Sequence, residues 1–370
     1  RDKLVTGVQT CALPIYAFST PWLWDYMRNN LDGEWWRGRQ AQWQNIDAPL
    51  YSAGNWSGMG LHLRGNTEGY ARAASKHKKL RIHTGTHFHS FYSEEGRADQ
   101  LRFFDHWLKG IDSGILREPP VKLLVRKGGH GNYQWRSENE WPLARTRWTR
   151  LYLDPGAAAG DIEGSLVEQE PRKSSSISYS ASAMTKAGVA SASWTSTALA
   201  GSLPKMGASF ETPPLPEDTE VTGPVVLVLW VSSTTEDMDV FATLRNIAPD
   251  GQDVFELGQQ SQPVPVAKGW LRASHRALDP SLALPHRPYH SHQERQWLKP
   301  DEVVRMDVEI WPTCMVFRKG HRIRLDIQPR DGVGSSPYTH YCADYNTGTN
   351  VIHTGGSRAS HLLLPVIPRK

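Results

Sequence analysis

A chain of 370 residues has the length of two or three domains, and with 39% apolar and 22% charged residues it can bury a sizeable interior. No run of eighteen or more apolar residues occurs, which excludes a membrane-spanning helix. The net charge of +4 comes from 42 basic and 38 acidic side chains scattered together, so no basic face is present to neutralise the phosphates of a nucleic acid.

The first segment, Arg1 to Ile15, contains Val5-Thr-Gly-Val-Gln-Thr-Cys-Ala-Leu-Pro-Ile15, which looks like the translation of a sequencing adapter. Residues 1–15 are therefore expected to be a non-native leader, Cys11 an artefact, and the natural gene longer at this end. The segment lacks the charged-then-apolar layout of a signal peptide, and the compartment is left open. Tyr16 to Trp56 holds six of the fifteen tryptophans: Trp22, Trp24, Trp35, Trp36, Trp43 and Trp56. That density fits either an aromatic wall over a pocket or the packing of a helical subdomain.

Ala48 to Ala53 reads as a buried strand ending in Gly54-Asn55. Leu61 to Ser75 reads as a helix and Leu80 to Thr84 as a second strand, followed by a histidine-rich loop. Ser93 is an N-cap before Glu94 and Glu95. It opens a helix that carries Ala98, Leu101, Phe104 and Leu108 on one face and stops at Lys109-Gly110. Strand, helix, strand, helix is α/β grammar, in which the C-terminal ends of parallel strands form the functional rim.

After Pro119-Pro120 the pattern changes. Val121–Val125, Trp148–Leu153, Val225–Ser232, Val240–Leu244, Val303–Ile310 and Arg322–Ile327 read as strands, and Pro249-Asp250-Gly251 as a hairpin turn. This half reads as an all-β sandwich. Ala157 to Ser209, rich in Ser, Ala and Gly, reads as long loops. Cys11, Cys314 and Cys342 show no Cys-x-x-Cys spacing, which argues against a disulfide framework and a structural zinc site.

The densest chemical signal is His83-Thr-Gly-Thr-His87-Phe-His89, where a strand runs out into a loop. Three readings compete. One histidine serves as the base of a nucleophilic triad, its unperturbed pKa near ~6.5 suiting proton transfer at neutral pH. Alternatively His87, His89 and Glu94 bind a divalent metal, since alternate residues of a strand share a face. In the third reading these are solvated loop histidines. No serine sits in Gly-x-Ser-x-Gly; Ser52, Ser336 and Ser357 are the nearest misses. Glycine-rich nucleotide loops are absent as well, so no cofactor is expected.

Leu101-Arg-Phe-Phe-Asp-His-Trp-Leu-Lys-Gly-Ile-Asp112, Glu118-Pro-Pro-Val121, Trp141-Pro-Leu-Ala144 and Leu151-Tyr-Leu153 together resemble the cocaine esterase/Xaa-Pro dipeptidyl-peptidase group of serine hydrolases, called CocE/NonD. Leu229 to Val231, Trp270 to His275 and Gly320 to Leu325 resemble the same group's C-terminal strands, and the likeness covers most of residues 30 to 367. The resemblance implies the C-terminal portion of an α/β-hydrolase domain, residues 16–115 with part of its cap, followed by a jelly-roll β-sandwich at 116–370. It selects His87 as the catalytic histidine, from a family pattern Leu-x-Ile-Gly-Pro-Trp-x-His that reads here Leu80-Arg-Ile-His-Thr-Gly-Thr-His87. The family acid follows Gly-Trp-x-, but Gly58 stands where Asp is expected in Gly54-Asn-Trp-Ser-Gly58. Glu68 is the nearest downstream carboxylate and the candidate acid, with a solvated helix carboxylate as the alternative.

The expectation is thus a fragment of a serine hydrolase acting on a small-molecule ester, amide or short peptide through an acyl-enzyme. Its nucleophile would lie upstream, and the fragment would be silent alone. The rivals are a metal-dependent enzyme using His87, His89 and Glu94, and a β-sandwich binding module whose aromatics hold a saccharide or peptide.

Overall fold

The computed structural model describes residues 22–157, 162–181, 207–258, 261–331 and 347–369. The leader expected at 1–15, Cys11, Ser336, Cys342 and much of the Ala157–Ser209 run lie outside the described residues. Helices α1 (Trp22–Arg28) and α2 (Glu34–Arg37) precede β1 (Leu50–Asn55), α3 (Leu63–Arg72), β2 (Lys78–His83), α4 (His87–Tyr92) and α5 (Glu94–Lys109). Strands follow: β3 (Val121–Arg126), β4 (Tyr133–Glu138), β5 (Arg147–Asp154), β6 (Gly164–Val167), β7 (Ser175–Ser180), β8 (Ala208–Glu211) and β9 (Thr219–Ser233). The chain continues through β10 (Asp239–Ile247), β11 (Glu256–Leu257), β12 (Pro263–Val264), β13 (Ala267–Arg272), β14 (Val304–Phe317), β15 (Arg322–Gln328), β16 (Thr349–Thr354) and β17 (His361–Ile367).

The described molecule is mostly β. Strands β1, β2 and β3 pair in parallel, and β3 meets β14 at Met315 opposite Arg126. From β14 the sheet order runs β13, β10, β15, β8, β6, β5, β17 and β9, and β9 pairs back onto β14 along most of its length. The β-rich part thus folds round on itself and encloses the larger core, which includes Phe210, Leu227, Leu229, Val240, Leu244, Met306, Val308 and Leu325. Closure leaves β9 buried almost end to end, which is why Val225-Val-Leu-Val-Leu reads as a continuous apolar run rather than an alternation. Register slips occur between Ile310 and Thr313 on β14 and between Leu363 and Val366 on β17. Each interval contains a proline, Pro312 and Pro365, which has no N–H for the ladder.

A second core lies across the position where the sequence changes character. Trp56, Leu63, Leu80 and Ile82 pack with Val121, Leu123 and Val125 of β3 and with Trp311 and Cys314 of β14. Arg126, at the end of β3, is 0% exposed. Its Nε donates to the Cys314 carbonyl at 3.1 Å, and Nη2 donates to the Val266 carbonyl at 3.1 Å and to Thr313 Oγ1. The buried carboxylate of Glu256, held at 2.7 Å by the Tyr133 hydroxyl, supplies the opposite charge.

Helix α5 forms where the sequence places it. Ser93 Oγ accepts the Gly96 N–H at 3.1 Å, and Gly110 ends the helix at φ +70°. Its docking face is the reverse of the one expected. Leu101, Phe104 and Leu108 are exposed, Leu108 by 76%, whereas Gly96 and Asp99 are buried. Two contacts decide this. A Cβ on Gly96 would fall 2.0 Å from the Ser90 carbonyl oxygen, so only glycine allows the approach to α4. The Asp99 carboxylate is the buried partner of Arg81 on β2 and accepts the Tyr51 hydroxyl of β1 at 3.3 Å.

Two substitutions test these joints. Arg126→Leu strands two carbonyls and the Glu256 carboxylate, and is expected to cost about 3–5 kcal/mol in denaturant unfolding. Asp99→Ala leaves Arg81 buried without its closest anion and is expected to cost about 3 kcal/mol by the same measurement. A loss under about 1 kcal/mol in either case would show that water or rearrangement satisfies the remaining partner.

Candidate active site

The parallel pair β1/β2 brings two loops together at its C-terminal ends. Asn55 and His83 are opposite in register, and the Trp56 N–H donates to the His83 carbonyl at 2.8 Å. Ser57 Oγ and Thr84 Oγ1 lie 2.6 Å apart and tie the loops to each other. Thr86 then caps α4, its hydroxyl accepting the His89 N–H at 3.2 Å, and His87 is the first residue of that helix.

His87 is enclosed by residues of the first loop. Its Nδ1 lies 3.3 Å from the Asn55 carboxamide nitrogen, and its ring packs 5.5 Å from His62 and 6.2 Å from His83. Gly58, where a carboxylate is expected from the resemblance, is the residue against which the ring rests. A Cβ there would stand 3.1 Å from His87 Cε1, so position 58 contributes space instead of charge. His83 is held differently: its Nδ1 is 3.1 Å from the Thr84 carbonyl, and burial, reinforced by the neighbouring His87, pulls its pKa down to about 4.

Glu68 is not brought to the imidazole. It is buried on α3, and its recorded ion pairs among the described residues are with Arg287 at 3.1 Å and Arg72 at 3.9 Å. The reason is its place on the helix: α3 turns this residue toward the β-rich part, whose arginine neutralises it. The metal arrangement of His87, His89 and Glu94 also fails. His87 and His89 lie on a helix, where two residues advance about 200° around the axis and point apart, and His89 and Glu94 are exposed. Among the described residues no group of three or more His, Cys, Asp or Glu is placed to hold a metal ion.

A cavity of about 740 Å³ opens beside this loop, lined by Met59 and Gly60, which follow Gly58, and by Arg64 of α3. Its other walls come from far along the chain: Phe241 of β10, Trp270 of β13, Glu309 and Trp311 of β14, and Tyr289, His290 and His292 from the loop between. Tyr26, Asp32 and Trp36 of the N-terminal helical arm complete it, and the arm is tied down by the Asp32 N–H to the His292 carbonyl at 2.8 Å. Among the early tryptophans whose side chains are described, Trp36 lines the cavity; Trp56 is core, its indole N–H donating to the Leu124 carbonyl at 3.0 Å.

Six of the charges in the cavity wall are paired: Arg64 with Glu309 at 2.8 Å, Lys268 with Asp331 at 2.7 Å and Arg272 with Asp239 at 2.7 Å, while the Asp32 carboxylate on the arm has, among the described residues, only the Gln40 carboxamide at 3.5 Å. Burial pushes the Glu309 carboxyl up, against the pull of Arg64. Trp270 and Trp311 lie 5.4 Å apart and form an aromatic flank. Such a space suits a small, partly apolar organic molecule whose polar groups exchange with those of the wall.

Sequence reasoning missed Asn55 and most of the cavity. Asn55 was legible as the residue after Gly54 in the same loop. The cavity wall was not, because β10, β13 and β14 reach it only through sheet pairing.

Residues 113–363 match the X-Pro dipeptidyl-peptidase C-terminal non-catalytic domain, so His87 and Glu68 precede the matched segment. The cocaine esterase of Rhodococcus sp. strain MB1 Bresler is 26% identical over 316 residues, 75% of this chain and 46% of that protein. The chain spans less than half the length of the curated relatives it matches. A crystal structure of a CocE/NonD family hydrolase from Staphylococcus aureus superposes with a TM-score of 0.82 at 26% identity, covering 94% of this chain and 59% of that one. An aminopeptidase from a marine-sediment Thaumarchaeota archaeon shares the fold, with a TM-score of 0.69 at 17% identity, over 94% of this chain and 60% of its own. The domain match, the esterase relative and the shared architecture together make this chain a member of the CocE/NonD hydrolase family.

Proposed function

We propose that the chain is the C-terminal part of a serine hydrolase that cleaves ester or amide bonds of small molecules or short peptides through an acyl-enzyme. In this reading residues 1–15 are non-native, residues 16–115 close an α/β-hydrolase domain with part of its cap, and residues 116–370 form a jelly roll that walls the substrate pocket. Family membership supports the reaction class, and the parallel β1/β2 pair with its rim loops supports the α/β-hydrolase assignment. The observation that carries the reading is the position of His87. Its imidazole sits at the C-terminal rim of two parallel strands, with Nδ1 against Asn55, beside a loop whose next residues line the cavity.

The reacting nitrogen is Nε2, since Nδ1 is taken. A serine hydroxyl supplied by polypeptide outside these residues attacks the carbonyl, Nε2 receives its proton, and the imidazolium later passes that proton to the leaving group. The 370-residue chain alone is silent. Trp270 and Trp311 hold the apolar part of the substrate and exclude water from it.

In the full-length reading frame, His87→Ala is expected to lower p-nitrophenyl ester and Xaa-Pro-anilide turnover by about three orders of magnitude; undiminished activity removes His87 from the mechanism. Trp270→Ala is expected to raise KM about tenfold with kcat nearly unchanged, because uniform binding is lost. An unchanged KM for both substrates would show that the cavity does not hold them.

A further inference from the structure

Asn55 is 1% exposed, and each polar atom of its carboxamide faces a defined partner. Oδ1 accepts the Ser57 backbone N–H at 2.8 Å, and Nδ2 donates to the Gly85 carbonyl at 2.6 Å. These two contacts fix which end of the amide is which. Turning the group over would set oxygen against the Gly85 carbonyl and nitrogen against the Ser57 N–H, two repulsive contacts in a buried place. The end that lies 3.3 Å from His87 Nδ1 is therefore the NH2 group, whose second hydrogen is available to the ring. A donor facing Nδ1 requires a lone pair on Nδ1, and a neutral imidazole with a lone pair there carries its proton on Nε2.

We propose that Asn55 is a positioning residue that holds His87 in the Nε2–H tautomer, so that the resting ring offers a proton, not a lone pair, at its reacting nitrogen. The inference rests on the reading of His87 as the working imidazole. For Nε2 to act as a base, the ring must first lose that proton to solvent and gain one at Nδ1, which then opposes the Asn55 NH2 group. An orienting carboxylate imposes the opposite tautomer by accepting from Nδ1–H. Exchanging carboxylate for carboxamide in that place costs serine proteases on the order of 10⁴ in rate through the wrong tautomer. The loop that lacks an acid at Gly58 thus supplies at Asn55 a group of reverse polarity. Hydrolysis by the complete protein is throttled by a proton shift that a single side chain controls.

The test is spectroscopic and needs no turnover. In the 370-residue chain labelled with ¹⁵N, His87 is assigned by comparison with His87→Gln, and its tautomer is read from the two-bond ¹H–¹⁵N pattern at neutral pH. The native ring is expected wholly as Nε2–H, with a nitrogen–nitrogen coupling across the hydrogen bond from Asn55 Nδ2. Asn55→Asp is expected to switch the pattern to Nδ1–H and raise the pH at which the ring charges by one unit or more. Asn55→Ala should relax the ring to a mixture. A native ring with protonated Nδ1, a missing coupling, or a folded Asn55→Asp chain with unchanged pattern overturns the proposal. The native measurements stand even where a variant fails to fold. Failure here leaves the hydrolase reading intact, whereas loss of the His87→Ala effect on turnover sinks that reading without touching the tautomer.

Discussion

The guanidinium of Arg126 sits where three parts of the chain converge. It caps the carbonyls of Cys314 and Val266, binds the Thr313 hydroxyl, and faces the buried Glu256 carboxylate. A charge removed from water this completely is tolerable only with such partners. The partners come from β14, from β11 and from the chain just before β13, while Arg126 itself belongs to the parallel run β1, β2, β3. This contact therefore sets how the strands carrying His87 stand against the strands carrying the cavity wall. The neighbouring core, in which Trp311 and Cys314 pack on Leu123 and Val125, makes the joint continuous rather than a hinge.

From that joint the site follows by geometry. The rim of β1 and β2 delivers Asn55, Gly58 and His87 to one spot, and the same loop runs on through Met59 and Gly60 into the cavity. Arg64, one residue into α3, ties this side to the other through Glu309 of β14. Imidazole and cavity are thus adjacent because one short loop serves both. The paired charges keep the wall neutral in sum at three positions, so that on the strand side a substrate meets aromatic surface and satisfied ion pairs, and the carboxylate of Asp32 on the arm stands outside those pairs.

Polarity, not apolar periodicity, decides how α5 lies. Leu101, Phe104 and Leu108 keep helical spacing, yet the buried side is the one with Gly96 and Asp99. The buried Arg81 on β2 needs an anion, and Asp99 is the buried carboxylate that meets it, with the exposed Glu95 of the same helix at 3.4 Å. The hydrophobic pattern established that a helix exists; a charge on a strand determined which side of it faces inward. Glu68 shows the same rule, since it goes to Arg287 and leaves the imidazole to a neutral carboxamide.

Local patterns in the chain were sufficient for the elements: the N-cap at Ser93, the αL stop at Gly110, the β-branched runs of β9 and β14, and the strand ending at Asn55 all follow from interactions within a few residues. The family and the candidate histidine were legible too, because motifs keep their spacing along the chain. Tertiary structure alone decided which carboxylate meets which cation, that position 58 holds a ring in place of an acid, that Asn55 faces His87, and that β10, β13 and β14 wall the cavity. Those outcomes depend on distances between segments up to about 250 residues apart, such as Arg64 and Glu309. Sequence spacing carries no record of distances set by sheet pairing and the burial of charge.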